Sequence, residues 1–592
     1  MKIEDYALIG DSHTAALVGR NGSIDWLCFP IFDSPACLAA LVGRGENGHW
    51  QIGPEENPMA TSRRYLRDSL VLESEFDAAG GRVRSTDFMP ARRVHGWIVR
   101  ELAGLKGEVR MRMRLVAAFG YGQIRPWLHR SRGSVRMQAG SEMLVLRSPV
   151  PVEVDGADIR ASFTLKAGQR LVFTLHWHPA HLGPEESENP SAARRRTLAW
   201  WRRWHRAARY RGPHRDAVRR SLLVIRALTY APTGGLAASP TASLPETPGG
   251  SSNWDYRYCW LRDAAFAFDA LLAAGYGREA APWLDWLVRA VAGDPSQLQT
   301  AYSVHGERRL AEWTVEELDG YEGSQPVRVG NDAAIQFQLD VYGEVINALH
   351  LARSAGDMAR RVDLDAWELQ QRLLEHVERC WQKNDHGIWE ERGRPRPFTY
   401  SKVMAWVAAD RTVQAIERWG HSGDLARWKR LRRVIRQDVL AHGFNPKVGA
   451  FTQSYGSDVV DASVLRLPLV GFLSARDPRM RSTVRQIETQ LVQDGIVGRR
   501  HTGRRSPEAA FLPCSFWLAA NYALAGRKEE GRKLFARVLP LANDLGLLAE
   551  EYDLKRRRLT GNFPQALTHI ALIQCAVLLA GKSRQTSASS PL

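Results

Sequence analysis

The sequence predicts a multidomain β + α protein in which an N-terminal β-sandwich precedes a barrel of paired helices. Two observations support this fold class. Residues 1–185 carry short strand-like runs separated by turn signals, without helical patterns between them, as in a sandwich. Residues 213–580 carry helical periodicity nearly throughout, and long polar and aromatic loops join the helices. Such a barrel gathers its loops at one mouth, where function concentrates.

Turn signals divide the N-terminal region into strands. Asn21-Gly22 predicts a hairpin turn, and Gly80-Gly81 and Gly140-Ser141 are similar signals. The alternating or apolar runs after these turns predict strands at Val83–Phe88, Met143–Leu146, Val150–Val154 and Leu171–Leu175. The region 1–185 is therefore predicted to be one β-domain.

The strand-like pattern ends at about residue 185, and residues 186–212 predict a linker helix that joins two domains. In the second domain, apolar residues at helical spacing predict helices at 217–229, 264–274, 333–348, 367–380, 401–418, 425–439, 480–492, 516–525, 528–539 and 564–579. The tail, residues 581–592, is rich in serine and is predicted to be disordered.

Composition bounds the functional class. The chain has 592 residues, which is enough for two or more domains with large cores. Its net charge of +17 invites a nucleic-acid or membrane interpretation, but the excess arginine is spread out. Since no helix-turn-helix, zinc-finger or RNA-binding signature accompanies it, we predict a solvated Arg-rich surface and no nucleic-acid partner.

Cysteine usage and the chain ends indicate a cytoplasmic protein. Six cysteines without a CxxC pair do not form a disulfide scaffold in a chain of this size. Residues 1–6 are not a secretory signal, and the apolar run 570–579 is too short to cross a bilayer, so no membrane partner is predicted. No HxxxH, HExxH, phosphate loop or dinucleotide fingerprint is present, so we predict no metal site and no cofactor.

The stretch 387–393 places Trp389, Glu390 and Glu391 in a glycine-bounded loop ahead of a predicted helix. A carboxylate against an indole can have its pKa raised by desolvation, as a general acid needs near neutral pH. The indole also offers a flat apolar face to a sugar ring. An isolated acidic pair in a turn is more often merely solvated, so the functional interpretation depends on the rest of the chain.

A second set of polar and aromatic residues lies in the loop 243–263, just ahead of a predicted helix. Arginine offers a fork of donors and aspartate accepts from two hydroxyls, so Trp254, Arg262 and Asp263 suit a sugar. A structural ion pair under a loop would use the same residue types. The glycine-punctuated loop 319–332, which contains Arg328, would line the same mouth or form an ordinary long loop.

The segment 547–553 is a second carboxylate cluster and contains Glu550. Glu390 and Glu550 lie in different loops, and in a helical barrel both can reach one pocket. Two carboxylates facing one bond are the minimum for glycoside hydrolysis, because one protonates the leaving oxygen while the other activates water or attacks the sugar.

Taken together, these ordered motifs resemble those of glycoside hydrolase family 15, the glucoamylase and bacterial trehalase group. Residues 9–11, 22–26 and 32–35 resemble its trehalase-like N-terminal domain. The catalytic-barrel motifs are matched by residues 253–263, 326–331, 387–390, 401–406, 514–517 and 561–565. The resemblance covers nearly the whole chain.

The resemblance implies a β-sandwich followed by an (α/α)6 barrel and an inverting mechanism. Glu390 would protonate the glycosidic oxygen, and Glu550 would deprotonate the attacking water. Inversion needs the two carboxyls roughly 6.5–9.5 Å apart, which leaves room for that water. The expected substrate-binding residues are Trp260, Arg262, Asp263, Trp389, Glu391, Trp254 and Arg328.

One segment departs from the family pattern. Residues 498–505 are shortened and basic where the family usually carries a Tyr-Arg-Tyr segment and an acidic, glycine-rich loop, and Ala509 replaces the usual glycine. We expect the loop 499–505 to border the cleft and to influence substrate preference. Its arginines would bind an anion or would simply be solvated.

We therefore expect a glycoside hydrolase that releases glucose from α-glucosides. Trehalose is the leading substrate, and maltooligosaccharides or isomalto-linked glucans follow. Phosphate or magnesium dependence is suggested by the family resemblance alone. The alternatives are a glucosyl transferase or phosphorylase on the same barrel, and a non-catalytic sugar- or nucleic-acid-binding protein. The sequence is compatible with a homo-oligomer.

Overall fold

The computed structural model describes residues 1–56, 58–91, 95–182, 188–355, 364–501 and 509–581. Its first part is a 15-stranded antiparallel β-domain. The strands are β1 (Tyr6–Gly10), β2 (Ala15–Gly19), β3 (Ser23–Cys28), β4 (Ala36–Leu38), β5 (His49–Pro54), β6 (Ser62–Tyr65), β7 (Leu72–Ala78), β8 (Gly81–Phe88), β9 (Trp97–Val116), β10 (Trp127–Ser131), β11 (Ser134–Ala139), β12 (Glu142–Arg147), β13 (Glu153–Asp155), β14 (Asp158–Lys166) and β15 (Arg170–Pro179).

Strand β9 belongs to two sheets. Its first half pairs with β8 and β15, and its second half pairs with β5 and β14. Across the interior, β1 contacts β8 and β5 contacts β7, so the two sheets face each other over one core. The prediction of an N-terminal β-sandwich is therefore confirmed.

Glycines allow β9 to pass between the sheets. Gly107 has φ 64°, and a Cβ at this residue would lie 2.1 Å from the carbonyl oxygen of Gly80. Only glycine fits so close to a neighbouring backbone. The predicted turns at 21–22, 80–81 and 140–141 each separate paired strands. The predicted strand 150–154 is wrong in its first half, because β13 starts at Glu153, and Pro151 has no N–H for a ladder.

The helices follow the β-domain, and helix α1 connects it to the rest. They are α1 (Pro190–Ala207), α2 (Arg215–Leu228), α3 (Leu261–Ala273), α4 (Ala281–Val291), α5 (Asp340–Ser354), α6 (Leu364–Cys380), α7 (Thr399–Trp419), α8 (Leu425–His442), α9 (Arg466–Leu469), α10 (Pro478–Gln490), α11 (Leu512–Ala525), α12 (Lys528–Val538) and α13 (Ala566–Leu579).

Six of these helices form a closed inner ring. Helices α3, α5, α7, α9, α11 and α13 contact one another in chain order, and α13 returns to α3. Helices α2, α4, α6, α8 and α12 pack outside them. This ring is the (α/α)6 barrel that the resemblance implies.

Three helices differ from the sequence-based expectations. Helix α4 is not predicted from the sequence. Its Pro282 lies in the first turn, where proline is tolerated, although proline interrupts a helix at later positions. Helix α5 starts at Asp340 rather than at residue 333, since a separate 3-10 turn capped by Asn331 covers 332–335. The four-residue helix α9 is too short to give a periodic signal.

Short ladders organise the loops between the helices. They are formed by β16 (Ala242–Pro245), β17 (Asn253–Asp255), β18 (Cys259–Trp260), β19 (Ala301–Tyr302), β20 (Trp313–Thr314), β21 (Arg328–Val329), β22 (Phe444–Asn445), β23 (Ala450–Phe451), β24 (Val492–Gln493), β25 (Ile496–Val497), β26 (Ala510–Phe511), β27 (Glu551–Asp553) and β28 (Arg558–Thr560). The part of the chain that the structure describes contains no helix with the length and apolarity needed to cross a bilayer. The predicted tail, apart from Gly581, lies outside the described residues.

Candidate active site

A small pocket opens at the ends of the inner helices, with about 30 Å³ of space accessible to water. The loops that line it precede α3, α7, α11 and α13, so the pocket lies at helix N-termini. Its lining is Ala238, Tyr256, Trp260, Arg262, Asp263, Ile388, Trp389, Glu390, Arg499, Phe511, Glu550, Gln565 and Leu567.

The structure thus brings together six of the residues that the sequence singled out. Both predicted carboxylates line the pocket, and so do two predicted tryptophans and the predicted Arg-Asp pair. These residues are Glu390, Glu550, Trp260, Trp389, Arg262 and Asp263. Residues from four separate loops therefore share one cavity.

Glu390 lies in the loop between α6 and α7 with an unusual backbone. Its φ is 56°, a left-handed conformation that costs free energy for a residue with a side chain. The surrounding loop maintains it, since the Glu390 N–H donates to the Gly387 carbonyl at 3.1 Å and the Gln336 amide donates to the Glu390 carbonyl at 3.3 Å. The Glu390 side chain remains 15% exposed, toward the pocket.

Arg262 fixes the Glu390 carboxylate. Its Nη1 donates to Glu390 Oε1 at 2.8 Å and to the Ile388 carbonyl at 2.8 Å. Its Nε donates to Asp263 Oδ1 at 2.8 Å, so one guanidinium joins the first turn of α3 to the Glu390 loop. Burial raises the pKa of Glu390, and the positive charge of Arg262 only partly opposes that rise.

Asp461 orients Trp389, although no sequence pattern marks this carboxylate. The Trp389 Nε1 donates to both oxygens of Asp461, at 3.0 and 2.9 Å. Phe511 packs edge-on against the indole at 5.3 Å, and Trp517 stacks on it at 6.0 Å. Because Asp461 and Trp389 are far apart in the chain, no local pattern marks this pair.

Glu550 is only 1% exposed. The Tyr256 hydroxyl donates to its Oε1 at 2.8 Å, and the Asn562 N–H donates to its Oε2 at 3.4 Å. Gly561 makes room for it, because a Cβ at Gly561 would lie 2.7 Å from Glu550 Oε2 and the φ there is 75°. The glycine of the 561–565 motif is therefore required by the carboxylate.

Three carboxylates, those of Glu246, Glu550 and Glu551, lie around Arg499. Arg499 Nη2 donates to Glu246 Oε2 at 3.0 Å and also to Glu551. Burial, followed by the charge of Glu246, raises the pKa of Glu550 to about 8, and Arg499 opposes the rise. A proton is therefore held in this cluster near neutral pH.

The other three predicted binding residues do not line the pocket. Glu391 forms an ion pair with Arg500, and the Arg328 guanidinium lies 4.5 Å from the ring of Trp254. Arg328 also pairs with Glu312 at 3.3 Å. Each of the three therefore has a partner outside the cavity lining, Arg500 for Glu391 and each other for Trp254 and Arg328.

The basic segment 499–505 is described only as far as His501. Arg499 lines the pocket, as expected, and Arg499 and Arg500 both pair with carboxylates rather than bind a free anion. Residues 502–505 lie outside the described part of the chain. Among the described residues, no three His, Cys, Asp or Glu side chains are grouped so as to hold a metal ion.

Sequence reasoning missed Tyr256, Glu246 and Arg499 as individual site residues. Tyr256 lies in a quoted motif, but its residue type alone does not reveal a hydrogen bond to Glu550. Glu246 and Arg499 are joined to Glu551 through ion pairs across distant loops. The only available signal was the departure of the basic segment from the family pattern.

Comparison with known proteins covers nearly all of the chain. The family model Glycosyl hydrolases family 15 matches residues 212–577, and the model Trehalase-like, N-terminal matches residues 1–201. The trehalase of Mycobacterium tuberculosis is 34% identical, over 97% of this chain and 89% of that protein. The trehalase of Mycolicibacterium smegmatis is 35% identical over 97% and 91%, and that of Thermoplasma volcanium is 33% identical over 97% and 93%.

A solved structure has the same fold. A bacterial glucoamylase complexed with acarbose matches with a TM-score of 0.71, over 98% of this chain and 94% of that chain. Its sequence identity is 12%, so the likeness concerns the fold. It supports the β-domain followed by a helical barrel.

Proposed function

This chain belongs to glycosyl hydrolases family 15 and is a glycoside hydrolase, and we propose that it cleaves trehalose into two glucose molecules with inversion. The observation that carries the proposal is that Glu390 and Glu550, from distant loops, line one small pocket with two tryptophans. Trehalases that match over nearly their whole length support trehalose as the substrate.

In this proposal, the pocket first takes up one glucose unit. Trp260 and Trp389 offer apolar faces to the sugar ring, and Asp461 fixes the second of them through its indole N–H. Arg262 and Asp263 offer donors and acceptors to the hydroxyls.

Glu390 acts as the general acid and Glu550 as the general base. Glu550 takes a proton from water, whose oxygen bonds to the anomeric carbon on the face opposite the leaving group. The bond between that carbon and the glycosidic oxygen breaks, and Glu390 gives its proton to this oxygen. The leaving sugar departs as neutral glucose, and both carboxyls regain their starting protonation through solvent.

The hydrogen bonds around the two carboxyls bear on the assignment of Glu390 as the acid and Glu550 as the base. Arg262 occupies one oxygen of Glu390, whose side chain still reaches the pocket, so a proton can be passed to a substrate oxygen. Both oxygens of Glu550 accept hydrogen bonds, which favours its carboxylate form. Burial raises the pKa of both carboxyls, that of Glu550 to about 8, so kcat/KM should have a bell-shaped pH profile bounded by these two raised pKa values.

The test is a substrate panel of trehalose, maltose, isomaltose and longer α-glucans, followed by proton NMR during the first turnovers. Inversion at one anomeric carbon of trehalose gives equal amounts of β-glucose and α-glucose, whereas retention gives α-glucose alone. Phosphorolysis would give glucose 1-phosphate and would require phosphate. Preference for a longer glucan, or release of α-glucose alone, would contradict the proposal.

We also propose a cytoplasmic location. All six cysteines are unpaired and buried, which suits a reducing compartment, where disulfides are rare. Fractionation of the source cells, with trehalose hydrolysis as the readout, tests this. Activity confined to the culture medium would contradict it.

A further inference from the structure

Arg257 reaches from the helical domain into the β-domain. Its side chain is fully buried, and Asp255 binds it through two hydrogen bonds of 2.9 and 2.6 Å. Beyond Asp255, Arg257 Nη1 donates to the Ser34 carbonyl at 2.7 Å and Nη2 donates to the Tyr121 hydroxyl at 2.8 Å. The β-domain therefore supplies the acceptors for this guanidinium.

The preceding residue, Tyr256, faces the active site. Its ring lines the pocket, and its hydroxyl donates to Glu550 at 2.8 Å. Tyr256 and Arg257 are neighbours in the chain, directly after β17, so one short stretch of backbone carries both side chains. A displacement of Arg257 would therefore move the hydroxyl that holds Glu550.

The backbone around this pair is also held from the β-domain side. Residues 242–245 pair with residues 253–255, and the Ser239 N–H donates to the Tyr256 carbonyl at 2.8 Å. Trp26 of the β-domain donates to the Pro240 carbonyl at 2.7 Å, and Asp33 accepts from the Val304 N–H at 3.1 Å. The pocket wall and the β-domain thus form one continuous network.

We infer that Arg257 is a positioning residue, through which the N-terminal β-domain fixes Tyr256 and hence Glu550 in the active site. This inference assigns the β-domain a part in catalysis, although none of its residues lines the pocket. A test of the inference by enzyme kinetics depends on the proposed function, whereas a test by hydrogen exchange of the backbone amides does not.

The experiment compares Tyr121→Phe with Tyr65→Phe in the full-length protein. Tyr121 loses the hydroxyl that accepts from Arg257, and Tyr65 loses a buried hydroxyl that bonds only within the β-domain, to the Leu8 backbone at 2.8 and 2.7 Å. Both variants should lose a similar amount of Tm. Only Tyr121→Phe should lower kcat, by about 10-fold, with KM nearly unchanged and a shifted pH profile.

Arg257→Lys extends the test, because it keeps the charge but loses the fork that reaches both acceptors. It should lower kcat by about 10²-fold. Equal kcat values and pH profiles for Tyr121→Phe and Tyr65→Phe would overturn the inference.

Hydrogen exchange of the unliganded proteins provides a readout without turnover. Residues 253–258 and 560–562 should exchange faster in Tyr121→Phe than in Tyr65→Phe. If wild type leaves trehalose intact, the proposed function fails and the exchange result alone judges the positioning role. Unchanged exchange at these residues would overturn it.

Discussion

The two carboxylates of the pocket have different environments. Glu390 is held by one arginine on a loop with a left-handed backbone, and part of its side chain reaches the cavity. Glu550 is almost fully buried, bonded to Tyr256, and close to Glu246 and its partner arginine. The pKa values of these two glutamates are therefore set by different neighbours.

This difference indicates which part of the site controls its pH dependence. Burial, and then the negative charge of Glu246, raises the pKa of Glu550 to about 8. Burial raises the pKa of Glu390 too, but Arg262 is its immediate partner and limits the rise. Two raised pKa values therefore bound the pH range of activity, and the charged groups around Glu550 help to set one of them.

The largest expected effect comes from removing either carboxylate. Glu390→Gln and Glu550→Gln should each lower kcat on trehalose by about 10³-fold or more. With α-glucosyl fluoride, whose leaving group needs little protonation, Glu390→Gln should recover activity and Glu550→Gln should not. The reverse pattern would exchange the two roles. The exposed-carboxylate variant Glu368→Gln, on α6, is the matched control.

The same Glu550→Gln variant tests the buried environment through stability. The folded pKa of about 8 lies above the ordinary value of 4.5. The protonated carboxyl therefore contributes stability that is fully present below about pH 4.5 and is lost as the pH rises through about 8. Glutamine does not titrate, so the Tm of the variant relative to wild type should increase from pH 5 to pH 8.5. A constant difference would argue against the raised pKa.

A methyl group beside Glu550 should have the next largest effect. Gly561→Ala places a Cβ 2.7 Å from Glu550 Oε2, so the carboxylate must move and kcat should fall by about 10²-fold. Gly456→Ala is the control, because Gly456 has φ 71° but nothing within 4 Å. Both variants carry similar backbone strain. Equal activity losses would mean that strain, and not the position of Glu550, is responsible.

Charge changes around Glu550 should shift the pH profile without abolishing activity. Glu246→Gln removes the charge that most raises the pKa of Glu550, so the limb of the kcat/KM profile that reports Glu550 should move to lower pH by about 1 unit. Arg499→Met should move it to higher pH by a similar amount. A shift in the same direction for both variants would show that the limb does not report Glu550.

The smallest expected effect comes from the ion pair that Glu391, the residue after Glu390, forms with Arg500. The Glu391–Arg500 pair at the rim is partly exposed, at 25% and 29% for the two side chains, so its loss should cost about 0–1 kcal/mol. Arg500→Ala should widen the mouth and raise kcat/KM for maltotriose relative to trehalose by about 3-fold. Arg372→Ala, at an exposed pair on α6, is the control and should leave the ratio unchanged.

The sequence predicted the fold and the centre of the site, because both have local signals. Glycine-bounded loops ahead of periodic helices marked Glu390 and the Arg262-Asp263 pair, and the barrel then brought Glu550 to the same cavity. Residue types in short windows selected these residues, whereas their catalytic roles and the (α/α)6 barrel were expected from the family resemblance.

The charge partners could not be predicted in this way. Nothing near Arg499 in the chain indicates that it pairs with Glu246, and nothing near Trp389 indicates Asp461. Such pairs depend on which loops meet at the mouth of the barrel. The long strand β9 was missed for a related reason, because Gly104 and Gly107 resemble a turn until the crossing of two sheets is known.

Because β9 belongs to both sheets, it also affects how the protein unfolds on heating. Neither sheet can separate without disturbing a strand of the other, so the whole sandwich should melt as a single cooperative unit. Tyr121 lies shortly after β9, which ends at Val116, and with that melting Arg257 would lose the Tyr121 hydroxyl as an acceptor. Thermal inactivation should therefore coincide with the calorimetric transition of the sandwich, even where the helices remain intact.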